Sequence, residues 1–80
     1  MKDFERDTLR KCILDLVRRG VVHYTEIEKR SVATCQAFIT SNSFKPQFRY
    51  LLENGFIERV SRGVYALTDR GKSYLAIFTR

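Results

Sequence analysis

The chain has 80 residues, 44% hydrophobic, 12% aromatic and 30% charged, which is material for one small domain with a single core, expected to span 1–80. Fifteen Lys and Arg against nine Asp and Glu give a net charge of +6, and the isoelectric point near 9.8 points to a polyanionic partner, nucleic acid first. No apolar run approaches the ~20 residues of a membrane span, and the charged start from Met1 to Asp7 is unlike a secretory signal, so an intracellular, cytoplasmic protein is expected.

Two cysteines in no CxxC spacing and one histidine cannot supply a four-ligand zinc site, so no metal is expected. A chain this short buries only about 60 to 65% of the surface its unfolded form exposes, so a second subunit adding buried area is expected.

In chain order, Asp3 or Asp7 can cap a first helix. Leu9, Cys12, Ile13, Leu16 and Val17 share one face of it, and Gly20 ends it. Phe4 and Leu14 fall off that face among Asp7, Arg10, Lys11 and Arg18, as surface residues or as part of a subunit contact. Val21 to Tyr24 reads as a short extended piece. Thr25 with Glu28 then makes a capping box for a second helix, whose period through Ile27, Ser31, Cys35 and Phe38 carries it to about Ile39.

Ser41, Asn42 or Ser43 can cap a third helix, with Pro46 placed in or near its first turn. Its apolar stripe is Phe44, Phe48, Leu51 and Leu52, and Asn54-Gly55 is its stop. Phe56 to Val60, a turn at Ser61-Arg62-Gly63, and Val64 to Leu67 form an antiparallel hairpin with Ile57, Tyr65 and Leu67 toward the core. Thr68 caps a last helix from Asp69 to about Thr79.

This order, with Leu-Leu-Glu-Asn-Gly-Phe-Ile-Glu at 51–58 and Ala-Leu-Thr-Asp-Arg-Gly-Lys-Ser-Tyr-Leu at 66–75, resembles the winged helix-turn-helix family. The likeness covers roughly residues 8–78 and is to the compact archaeal type, including short regulators carried by archaeal viruses. It implies an α+β, mainly helical fold with a three-helix core, a two-stranded wing and a short C-terminal helix. Two features depart from the family's pattern. Pro46 stands where recognition helices usually carry an amide-bearing polar residue, and the stretch from Thr34 to Asn42 is longer than the usual tight turn.

The resemblance implies double-stranded DNA as partner and transcriptional regulation as function. The recognition helix, about 41–54, would enter the major groove, and the wing, 56–67, would lie on the backbone or in the minor groove. The stripe at Phe44, Phe48 and Leu51 turns Asn42, Pro46, Arg49, Tyr50 and Glu53 outward, with Lys45 and Gln47 flanking. Asn42 and Gln47 suit adenine and Arg49 suits guanine, while Lys45 and Tyr50 reach phosphate. Ser43 joins them because the first half of such a helix enters the groove. Arg59 and Arg62 serve the wing, with Arg62 beside Gly63 at its tip. The same residue types also occur on any solvated helix face, and Arg18, Arg19, Lys29 and Arg30 are equally good solubilising charges. Association with the nucleoid, or with the host's in the case of a virus, goes with this reading.

Tyr74, Leu75, Ala76, Ile77 and Phe78 leave the last helix apolar almost all round. A homodimer through Leu14, Tyr74, Ile77 and Phe78 would cover it and present two recognition helices to half-sites about 34 Å apart. The alternative is that the helix folds back on its own core.

Ala66 to Ser73 satisfies a relaxed phosphate-loop pattern, yet 67–70 contains no glycine and no second parallel strand is expected. Neither catalysis nor a cofactor is expected, nor a small-molecule substrate, and His23 reads as a structural or surface residue. Cys12 and Cys35 read as small core residues, and a bridge between them or between subunits through Cys35 stays open. Two other functions fit a winged helix as well: an adaptor between proteins, for which Pro46 and Tyr50 speak, and a non-specific architectural DNA-binding protein.

Overall fold

Glycine sets the ends of two helices by the same geometry. In the computed structural model, which describes residues 3–35 and 41–78, α1 spans Asp3–Arg18 and α3 spans Ser41–Glu53. Gly20 (φ +97°) and Gly55 (φ +76°) follow them in the left-handed region. The amides of Gly20 and Val21 return to the carbonyls of Val17 and Leu16, and those of Gly55 and Phe56 return to Leu52 and Leu51. Each is a Schellman motif, which satisfies two carbonyls that a bare helix end would expose.

The α4 helix, Asp69–Phe78, starts as its sequence dictates. The Thr68 Oγ1 accepts the Gly71 amide at 2.9 Å and donates to the Gly55 carbonyl at 2.6 Å. One hydroxyl therefore caps α4 and ties it to the elbow after α3. The α2 helix, Tyr24–Thr34, begins one residue before the expected capping box. His23 is its N-cap and its side chain caps nothing; the Tyr24 amide instead reaches the Gly63 carbonyl at 2.9 Å. Thr25 is thus a helical residue rather than the cap.

Further details differ from those expected, beginning with α3, in which Ser41, Asn42 and Ser43 are helical residues rather than caps. Asp7 lies inside α1, whose first helical residue is Asp3. The α2 helix stops at Thr34, with Cys35 as C-cap donating its amide to Ser31; Phe38 and Ile39, expected at its end, lie outside the described residues. Pro46 is well inside α3, where it cannot donate to the Asn42 carbonyl one turn back. The hairpin runs Ile57–Ser61 (β1) and Val64–Leu67 (β2), so its turn narrows to Arg62-Gly63 with Gly63 at φ +72°.

The described residues thus form an α+β, mainly helical arrangement of four helices and a two-stranded antiparallel sheet. Ile57 pairs with Leu67, Glu58 with Ala66 and Arg59 with Tyr65, and an irregularity at Val60 precedes the Ser61–Val64 pair. The extended piece before α2 joins this sheet through a bridge from His23 to Val64 and the bond from the Tyr65 amide to the Val22 carbonyl.

One core holds these elements together. Leu9, Ile13, Leu14 and Val17 of α1 meet Ile27, Phe44, Phe48, Leu51, Ile57 and Leu75. Leu14, expected off the core face, is fully buried, because α1 is flanked by α2, α3, α4 and β2 and buries more than one stripe. An aromatic cluster of Tyr24, Phe44, Phe48 and Tyr65, with centroids 4.8 to 6.5 Å apart, seats α3 against α2 and the hairpin. No helix among the described residues is long and apolar enough to cross a membrane.

Candidate nucleic-acid interface

The spacing of Phe44, Phe48 and Leu51 decides which residues of α3 face solvent. With those three buried, Asn42, Lys45, Pro46, Arg49, Tyr50 and Glu53 line a shallow concavity of about 400 Å³ on the outer side of the helix. Asn42, Lys45, Pro46 and Arg49 are exposed, Tyr50 is 37% exposed, and Ser43 is half-buried. Lys45 and Arg49 also border a second groove, where α3 meets Tyr24 and Tyr65.

The hairpin extends this surface. The Tyr65 ring packs edge-on against Phe48 of α3 at 4.8 Å, and Arg59 is its cross-strand partner. Directly opposed residues of an antiparallel pair share a face, so Arg59 belongs to the side of the hairpin turned toward α3. Arg62 is exposed at the tip. The tip is held at its base by the bond from Tyr24 to the Gly63 carbonyl, so its position relative to α2 is fixed.

The charges divide by element. Among the described residues, Arg6, Arg18, Arg30 and Lys72 form ion pairs with Asp7, Asp15, Glu26 and Asp69 on their own helices, and Arg19, just past α1, pairs with Asp15. Lys45, Arg49, Arg59 and Arg62 form none, even though Glu53 lies one turn from Arg49. Exposed pairs are worth ~0 to 1 kcal/mol, so pairing alone does not keep a cation from a phosphate. What sets α3 and the hairpin apart is that none of their four cations has a carboxylate to leave. Arg10 and Lys11 of α1, Lys29 of α2 and Arg70 of α4 are also outside the ion pairs among the described residues, Arg10 and Arg70 each lying over an aromatic ring.

Two residues are placed differently from the sequence reading. Gln47, expected as an adenine reader, is half-buried and accepts a 2.8 Å hydrogen bond from the Arg10 Nε. Arg10, read as a surface charge of α1, is 9% exposed, and its guanidinium lies 3.6 Å from the centroid of the Tyr50 ring. One arginine of α1 therefore holds two residues of α3, and Gln47 is engaged inward. The signal for Arg10 is its ridge: Arg10, Leu14 and Val17 follow one another at helical spacing, and all three are buried.

The residues expected at a dimer interface also separate. Leu14 is fully enclosed by its own chain and offers no surface to a partner. Tyr74 is half-buried and stacks on Phe56 with centroids 4.3 Å apart. Ile77 is 59% exposed, and the Phe78 side chain lies outside the described residues.

The phosphate-loop pattern takes a different shape. Gly71 is buried against the Phe56 carbonyl, and its amide is spent on the Thr68 hydroxyl. Thr68 alone separates β2 from α4. Among the described residues, no group of three or more His, Cys, Asp and Glu is placed to hold a metal ion. The His23 side chain is exposed while its backbone bridges to the hairpin.

Comparison with protein-family models, with curated proteins and with solved structures returned no match to this chain.

Proposed function

We propose that the chain is a winged-helix transcriptional regulator that binds double-stranded DNA, with α3 in the major groove and the hairpin on the neighbouring backbone or minor groove. The observation that carries this reading is the set of four unpaired cations, Lys45, Arg49, Arg59 and Arg62, on two adjoining elements of a chain with net charge +6. Asn42 and Arg49 read base edges, Lys45 and Tyr50 contact phosphate, and Ser43 assists at the start of the helix. Arg59 and Arg62 make sequence-independent contacts. Gln47 acts through Arg10, as part of the seat of α3, rather than on a base. Pairing of two copies rests on Ile77 and on Phe4, which is 77% exposed.

The test is fluorescence-anisotropy binding to a random duplex pool at two salt concentrations, followed by sequencing of the bound fraction. Steeply salt-dependent binding with an enriched, two-fold-symmetric sequence is the expected result. Salt-dependent binding without enrichment would replace it with an architectural protein. Absence of binding at low salt would replace it with an adaptor whose partner is a protein.

A further inference from the structure

The two cysteines of the chain come together between α1 and α2. Cys12 is half-buried, and Cys35 is the buried C-cap of α2. Both line a single concavity of about 320 Å³, with Lys11, Asp15 and Thr34 at its wall. Cys12 lies near enough to Cys35 to act on its thiol, so the two side chains are neighbours across that concavity. Burial, then the neighbouring Cys12, push the Cys35 thiol up to about 11, which makes it a poor first nucleophile. Cys12 is the more exposed residue of the two.

We propose that Cys12 and Cys35 are a redox-active pair that a low-molecular-weight, anionic disulfide such as oxidised glutathione converts to an intrachain crosslink. Lys11 is exposed beside Cys12 and forms no ion pair among the described residues, which gives an anionic reagent a cation to meet. In the first step the Cys12 thiolate attacks one sulfur of the reagent, forms a mixed disulfide and expels one thiolate. In the second the Cys35 thiol loses its proton to solvent, attacks the Cys12 sulfur and expels the other thiolate. The protein gives up two electrons and two protons, and the reagent leaves as two thiols.

The crosslink joins the middle of α1 to the end of α2 and closes a loop of about two dozen residues. Cys35 is the C-cap of α2, so the oxidised form fastens the end of that helix to α1.

The test uses the full chain, folded, in glutathione buffers of stepped oxidised-to-reduced ratio, with free thiols counted, intact mass measured and thermal unfolding recorded at each step. Both thiols are expected to disappear together, the mass to fall by about 2 Da, and the unfolding midpoint to rise by about 10 °C or more, all reversed by dithiothreitol. In Cys12→Ser the Cys35 thiol is expected to survive the same buffers with no rise in midpoint. Two free thiols in the most oxidising buffer would overturn the proposal. So would a stable glutathione adduct on Cys12, or a covalent dimer on a non-reducing gel.

Discussion

The guanidinium of Arg10 lies 3.6 Å from the centre of the Tyr50 ring while its Nε donates to Gln47 at 2.8 Å. A cation that is 9% exposed needs such partners, and here both belong to one helix, so Arg10 sets the rotation of α3 about its own axis. Arg10→Ala is expected to cost about 2 kcal/mol in urea unfolding, from the lost stacking and the unpaired Gln47. Arg10→Lys should recover less than half, because an ammonium cannot cover the ring and reach the amide oxygen together. Full recovery by lysine would show that charge alone matters.

Gly71 reverses the usual sign of a helix substitution. Ala is favoured over Gly in a helix by up to ~1 kcal/mol, yet a Cβ here would stand 1.9 Å from the Phe56 carbonyl oxygen. Backbone cannot yield as a flexible side chain does, so Gly71→Ala is expected to destabilise by about 3 kcal/mol net. Thr68→Ala should cost about 1 to 2 kcal/mol through the lost cap, and Thr68→Ser much less. Thermal unfolding of the three variants measures both.

On DNA, Arg49→Ala is expected to weaken binding to a preferred site by about 1 to 3 kcal/mol and to relax preference at one base pair. Arg62→Ala should weaken all sequences alike and lower the salt slope by about one phosphate contact. Gln47→Ala should leave base preference intact. Anisotropy titrations on specific and random duplexes distinguish the three, and equal losses from Arg49→Ala and Arg62→Ala on both duplexes would remove the assigned roles.

Alkali should loosen the reduced protein. Burial and Cys12 raise the Cys35 thiol from 9.0 to about 11, and burial, Glu28 and Tyr65 raise the Tyr24 phenol above 10.0. A raised folded value means the native state holds its proton longer than the unfolded chain does. The stability is therefore complete below about pH 9 and lost as pH climbs through 11. Urea midpoints of the reduced protein between pH 8 and 11 should fall, and fall less in Cys35→Ala.

Self-association should be sensitive to Ile77 and indifferent to Tyr74, whose ring is occupied by Phe56. Ile77→Asp is expected to shift sedimentation equilibrium toward monomer without changing the unfolding midpoint by more than a few degrees. A wild-type protein that is monomeric at high concentration would remove the dimer from the reading.

Where the signals were local, the sequence was a sufficient guide to the fold. Gly20 and Gly55 ended their helices and Thr68 began one, because each acts through bonds within a few residues of itself. The outward face of α3 was equally legible, since a buried stripe at Phe44, Phe48 and Leu51 leaves few choices for the rest. Long-range partners were not. The start of α2 is set by a carbonyl at Gly63, the inward turn of Gln47 by Arg10, and the burial of Leu14 by four elements closing round α1. The need for glycine at 71 lies in an approach to the Phe56 carbonyl, which no local pattern reveals.

The bond from Tyr24 to the Gly63 carbonyl has a bearing on how the molecule comes into being. On a ribosome, the first half of the chain emerges with α2 lacking the acceptor for its leading amide, and with Leu9 and Ile13 lacking the Phe44, Leu51 and Leu75 that enclose them. The first deficiency lasts until Gly63 has left the exit tunnel, and the second ends only with Leu75. The nascent N-terminal half is therefore not a folding unit in its own right, and native structure should arrive in one late step once the hairpin and α4 are free.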